Sequence, residues 1–99
     1  MKKGGSVYIL TNTHHSVFYV GVTSDLPSRL IEHRERVYPN SFTSRYNLFK
    51  LVYFENFFSI EEAIDREKYI KGKVRKYKIS LISSMNPAWK DLGAEVLMW

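Results

Sequence analysis

Short runs that are apolar at almost every position alternate along this chain with longer runs in which apolar residues return every third or fourth place. Residues 7 to 11 and 16 to 22 have the β-branched and aromatic content of strands. Asn12-Thr13-His14-His15 between them predicts a hairpin loop. A loop of that length pairs Thr11 with Ser16 and Tyr8 with Tyr19, so that the two phenols share one sheet face. A first helix is predicted from near Asp25 to about Arg36, capped by Ser24 or Asp25, with Pro27 tolerated in its first turn. Residues 37 to 47 hold Pro39, Asn40, Ser41 and Ser44 and read as a loop. Leu48 to Phe57 is almost continuously apolar, as in a strand covered on both faces. Ser59 and Glu62 fit a capping box that opens a second helix over 59 to 71, stopping around Gly72. A third helix covers Val74 to Met85 with Tyr77, Leu81 and Ile82 inward, and Pro87 blocks its continuation. In residues 86 to 99, Trp89, Leu92 and Val96-Leu97-Met98-Trp99 are available to pack on the core or on a partner. The order β-β-α-β-α-α predicts an α+β fold, one domain over residues 1–99. Its three-stranded antiparallel sheet must be flanked by helices, because three strands alone expose too much apolar surface.

Two helices break their own pattern. In the second, Ile60, Ala63, Ile64 and Val74 fall within one arc at 100° per residue, and Glu67 projects into it. A carboxylate there is costly unless it is paired or bound to a metal. Metal ligand and inward salt bridge, for instance with Arg29 or Lys50, both remain open. In the first helix Leu26, Leu30 and Val37 make a stripe, with His33 inside it and Arg29 at its edge. A satisfied core histidine and an arginine paired to an acid are the plain alternatives there. This helix faces the sheet that carries Tyr8 and Tyr19, which weakens both of them. His14 and His15 diverge on an extended chain and read as solvated loop residues.

Composition narrows the chemistry. The chain is 44% hydrophobic and 15% aromatic, a globular balance, and it contains no cysteine, which excludes disulfides and thiolate metal sites. No apolar run approaches membrane-spanning length or follows the basic start as a signal would, so a soluble, cytoplasmic protein is expected, with no membrane partner. A net charge of +5 favours polyanions, nucleic acid first among them.

Phosphodiester hydrolysis needs a group that orients or deprotonates water and cations that neutralise charge on the phosphate and leaving oxygen. Arginine fits phosphate with two prongs, and one divalent ion on one carboxylate covers much of the charge. With these needs in view, Val7-Tyr8-Ile9, Tyr19-Val20-Gly21, Arg29, His33 and Glu67 resemble the GIY-YIG endonuclease domain. The likeness is greatest to small single-domain bacterial members related to the excision-repair incision subunit. It covers about residues 6 to 92, including Tyr46-Asn47-Leu48, Ala63-Ile64-Asp65-Arg66-Glu67-Lys68 and Asn86-Pro87-Ala88-Trp89-Lys90. Val7 stands where the motif has its first glycine, and Val20 where it has isoleucine.

The resemblance implies a three-stranded antiparallel sheet with flanking helices and single-metal cleavage of nucleic acid, with Mg²⁺ or Mn²⁺ as the ion. DNA is favoured over RNA, and repair or recombination is the implied setting. By resemblance Glu67 is the metal ligand and Arg29 stabilises the phosphoryl transition state. Tyr8 is the base, helped by His33, and Tyr19 orients water or phosphate. Tyr46 falls where small members place another active-site residue, and Asn86 matches a late supporting asparagine. His33 as the base, with Tyr8 orienting the water, stays open. So do two other functions: a non-catalytic nucleic-acid-binding module, and a protein-interaction subunit using the hydrophobic C-terminus.

Overall fold

A computed structural model describes residues 4–99. Strand β1, Gly5–Thr11, lies between β2, Phe18–Thr23, and β3, Lys50–Phe57, and both neighbours run antiparallel to it. The helices are α1, Leu26–Arg34; α2, Phe42–Arg45; α3, Ile60–Lys71; α4, Arg75–Met85; and α5, Gly93–Val96. The α+β class, the antiparallel three-stranded sheet and the flanking helices are as the sequence predicts. Among the described residues, no helix is long and apolar enough to cross a membrane.

The central strand is buried along its whole length, and its alternating side chains sort two cores. Val7 and Ile9 point with Val20, Val52 and Tyr53 toward Ala63 and Ile70 of α3 and Ile82 of α4. Tyr8 and Leu10 point the other way, toward Leu26 and Leu30 of α1, Leu48, Leu92 and Val96 of α5. Ile82 lies in the first core and Tyr77 and Leu81 border it, as expected of α4, and Trp89 packs on this core too. At Gly5 an added Cβ would stand 2.7 Å from Ile60 Cδ1 and 3.0 Å from Ala63 Cβ, so the missing side chain lets α3 settle on β1.

The hairpin register differs from expectation by two residues. Thr11 pairs with Phe18, Leu10 with Tyr19 and Tyr8 with Gly21. Asn12 causes the difference. Its Oδ1 accepts from Ser16 N at 2.8 Å and Val17 N at 3.4 Å, drawing both residues into the turn. Thr11 Oγ1 donates to the Val17 carbonyl at 2.8 Å, and His15 takes a left-handed φ of 57°. His15 is not a solvated loop residue. It is half-buried, stacked 4.8 Å from Trp89, and its Nε2 lies 2.9 Å from Lys50 Nζ.

Other boundaries shift for local reasons. Asp25 caps α1 by accepting from Ser28 N, and α1 ends at Arg34, so Val37 lies beyond it and is exposed. Residues 37–47 include the short α2, capped by Ser41 Oγ, and Leu48 N closes back on the Thr43 carbonyl. Strand β3 therefore starts at Lys50 and not at Leu48. Ser59 caps α3 through Glu62 N, as the capping box predicts. Val74 is the N-cap of α4 and 72% exposed, so it does not share the buried stripe of α3.

Strand β3 is irregular opposite Ile9 and Leu10. Ile9 pairs with Tyr53 and Leu10 with Leu51, leaving Val52 as the extra residue of a bulge. The bulge turns both Val52 and Tyr53 toward the α3–α4 core.

Candidate active site

Four side chains that the sequence singles out meet on the α1 side of the sheet. Tyr8 and Tyr19 lie on one face, diagonal to each other, with ring centroids 6.2 Å apart. The ring of His33, from the last turn of α1, lies 5.9 Å from that of Tyr8 and 6.1 Å from that of Tyr19. Arg29, one turn earlier on α1, completes the group and pairs with Glu32 at 3.1 Å on a half-exposed surface.

Gly21 makes this arrangement possible. It sits opposite Tyr8, and a Cβ there would stand 2.5 Å from Tyr8 Cζ, 2.6 Å from its oxygen and 2.8 Å from Tyr19 Cε2. The tyrosine ring lies over bare backbone, as glycine at this position permits.

His33 is held at both nitrogens. Nε2 lies 3.1 Å from the Tyr8 hydroxyl and Nδ1 2.9 Å from Thr43 Oγ1. Thr43 Oγ1 is in turn 3.2 Å from Ser41 Oγ. Thr43 is buried and was not visible as a site residue in the sequence. The available signal was the Ser41-Phe42-Thr43-Ser44 run, a helix cap within a stretch read as loop. Burial, and then the Arg29 charge, hold the His33 imidazole below the ordinary histidine value of 6.5, with Glu32 pulling weakly upward. It is therefore neutral near pH 7, able to accept at one nitrogen and donate at the other. Tyr8 is 0% exposed. Burial pushes its phenol well above the usual 10.0, Tyr19 adds to the rise, and Arg29 opposes it.

Glu67 comes from α3, on the other side of the sheet. It is 8% exposed, and its carboxylate meets Lys71 Nζ, one turn on, at 2.5 Å. Neither Arg29 nor Lys50 is its partner, as they pair elsewhere. Lys71 Nζ is 5.9 Å from the Tyr19 ring centre, so this ion pair reaches the tyrosine cluster past edge strand β2. Among the described residues no three His, Cys, Asp or Glu side chains converge as a metal cage. Glu67 suits a cation held by one carboxylate with the remaining positions left to water and phosphate, as Mg²⁺ accepts. An ammonium already faces that carboxylate, so the donor chemistry fits a cation.

Tyr46 ends α2 and lies one ring further out. Its ring stacks 4.8 Å from Phe42, which is 6.3 Å from Tyr19. Asn86 is not brought to this cluster. It caps α4, its Nδ2 donates to the carbonyls of Val52 at 3.2 Å and Lys90 at 2.8 Å, and its Oδ1 accepts from Lys90 N. It fastens the chain after α4 to the bulge of β3. A groove of about 1000 Å³ beside Gly5, Asp25, Pro27, Phe58 and Trp99 contains none of the clustered residues.

A family model of the GIY-YIG catalytic domain matches residues 4–80, which include both tyrosine triplets, Arg29, His33, Tyr46 and Glu67. The chain belongs to the GIY-YIG family. It is 41% identical over 90 residues to the UPF0213 protein CPE1444 of Clostridium perfringens (strain 13 / Type A), covering 91% of this chain and 95% of that protein. Its fold is similar to the solution structure of the UPF0213 protein BH0048 from Bacillus halodurans. That similarity has a TM-score of 0.57 and 30% identity, and covers 89% of this chain and 92% of the other. GIY-YIG domains define a family of nucleases, and the UPF0213 relatives place this chain among its small members.

Proposed function

We propose that residues 1–99 act as one GIY-YIG domain in the cytoplasm, a divalent-metal-dependent endonuclease that hydrolyses phosphodiester bonds in DNA, with repair or recombination as its setting. The observation that carries this reading is the convergence of Tyr8, Tyr19, Arg29 and the doubly held His33 on one sheet face, with Glu67 reaching them through Lys71.

The proton path follows from the hydrogen bonds. Both His33 nitrogens already face hydroxyls, so His33 takes a proton from water through one of them. In the tautomer with hydrogen on Nδ1, that nitrogen donates to Thr43 and Nε2 accepts from the Tyr8 hydroxyl. A raised phenol does not ionise unaided at neutral pH. Tyr8 instead passes its proton to Nε2 while taking one from the attacking water. His33 is thus the terminal acceptor and Tyr8 the relay, which reconciles the two candidates for the base. A substrate phosphate competes with Glu32 for Arg29, and the relay requires that water reach the buried phenol beside Arg29, whose charge already bears on Tyr8. Tyr19 and Tyr46 line the approach, and Tyr19 orients the phosphate or the water. Glu67 would hold a single Mg²⁺ or Mn²⁺, which when bound would supply charge neutralisation at the phosphate and the leaving oxygen.

The test is cleavage of plasmid, single-stranded and branched DNA with Mg²⁺ or Mn²⁺, comparing the wild-type chain with Glu67→Ala. Cleavage by wild type that is lost in the variant supports the reading. Equal cleavage by both proteins refutes the metal assignment, and salt-dependent binding without cleavage in any metal leaves a binding module in its place.

A further inference from the structure

The α2 segment spends buried hydrogen bonds to hold aromatic rings in water. Thr43 and Ser44 are buried, Thr43 binds His33, and Arg36 Nη1 donates to the Ser44 carbonyl at 3.3 Å. The side chains before and after them face out. Phe42 is 46% exposed and Tyr46 45%, although both are large apolar rings. The rings form a row that leaves the candidate active site, from Tyr19 to Phe42 at 6.3 Å and on to Tyr46 at 4.8 Å. A cation stands at each end, with Lys71 Nζ 5.9 Å from the Tyr19 ring and Arg45 Cζ 6.0 Å from the Tyr46 ring.

Rigid exposed rings flanked by cations suit one occupant, the face of a nucleobase whose backbone phosphates meet the cations. A base within a duplex has both faces covered by its neighbours and cannot lie on such a row. We infer that Phe42, with Tyr46, is a stacking platform for an unpaired nucleotide beside the scissile phosphate, so that the substrate is DNA with single-stranded character at the cut. This rests on the nuclease reading of the same site and names the substrate it selects.

The experiment measures binding in EDTA, where the proposed cleavage cannot proceed. Wild type and Phe42→Ala are compared on a short single strand carrying 2-aminopurine, the matching duplex, and the same single strand with abasic sites in place of its bases. Phe42→Trp keeps a ring and serves as the conservative variant, and melting curves confirm that each protein is folded. The expected result is a loss of about 5- to 100-fold in affinity of Phe42→Ala for the base-bearing strand, the scale of one lost stacked base. Duplex and abasic strand change little, and the 2-aminopurine quenching seen with wild type and Phe42→Trp is lost. Equal weakening on strands with and without bases, or unchanged affinity for the base-bearing strand, overturns the platform. Cleavage by the wild-type chain with Mg²⁺ or Mn²⁺ is scored in parallel. Cleavage with no Phe42 effect sinks the platform alone, and absence of cleavage on every DNA sinks the nuclease reading.

Discussion

Replacing Gly21 with alanine tests whether the candidate site depends on a tyrosine lying over bare backbone. In a strand interior alanine is otherwise favoured over glycine, by about 0.5–1 kcal/mol. Here the new methyl would stand 2.5 Å from Tyr8 Cζ and 2.6 Å from its oxygen. Carbon atoms in contact normally lie about 3.5–4.0 Å apart, so the ring must retreat by about 1 Å. Tyr8 has no open space behind it, being fully buried against Leu26 and Leu30. Overpacking of this kind costs about 1–3 kcal/mol, and the hydrogen bond from Tyr8 to His33 adds about 0.5–1.5 kcal/mol when broken. The clash therefore outweighs the propensity gain, leaving a net loss of about 1–3 kcal/mol. For a domain of this size that lowers the melting temperature by on the order of 10 °C. Thermal unfolding followed by circular dichroism measures the loss, and cleavage by the folded fraction below the transition measures the site. Reduced melting with cleavage lost even in the folded fraction is the expected pair. A Gly21→Ala protein that melts and cleaves like wild type would refute the placement of Tyr8 and the relay built on it.

Three further outcomes are expected. Lys71→Met removes the ammonium that competes for Glu67, so Mn²⁺ binding followed by electron paramagnetic resonance should tighten several-fold; weaker or unchanged binding would argue against Glu67 as the metal ligand. His33 should titrate below 6.5 by NMR. Between 6.5 and the lower folded value the unfolded chain binds a proton that the folded chain does not, so the stability from neutral His33 is complete above 6.5 and is lost as the pH falls on through the folded value. Cleavage should fall over the same acid range, and a rate that stays level there would remove His33 as acceptor. Asn86→Ala should cost about 1–3 kcal/mol in denaturant unfolding while cleavage per folded molecule is unchanged; a selective loss of cleavage would return Asn86 to the active site.

The sequence carried the site's main members because each broke a pattern that physics makes strict. Glu67 and His33 stood on helical stripes where apolar residues belong. The shared face of Tyr8 and Tyr19 was legible although the register was not, because a slip of two residues returns every side chain to its own side. What escaped depended on contacts with no periodic trace. Thr43 lies in a stretch without strand or long-helix pattern, and its importance comes only from His33 reaching it across space. The partner of Glu67 is not the distant Arg29 or Lys50 that the sequence suggested but Lys71, one helical turn on, where an i,i+4 pair leaves no mark on the apolar stripe. His15 looked solvated because nothing local foretells that Trp89, far along the chain, would cover it. Asn86, expected by resemblance to support the site, instead finds an acceptor at the bulge residue Val52 that no linear reading anticipates.

The Asn12 turn sets a rule for how this hairpin can vary among relatives. Its tip, residues 12 to 17, is shaped by the Asn12 side chain, which bonds Ser16 and Val17, and is tied to the body of the protein through His15 on Trp89 and Lys50. Insertions or deletions there should be taken up within the loop, because the buried faces of β1 and β2 hold the register that points Tyr19 to the α1 side. Loop length in this corner can therefore change while both phenols keep their side of the sheet.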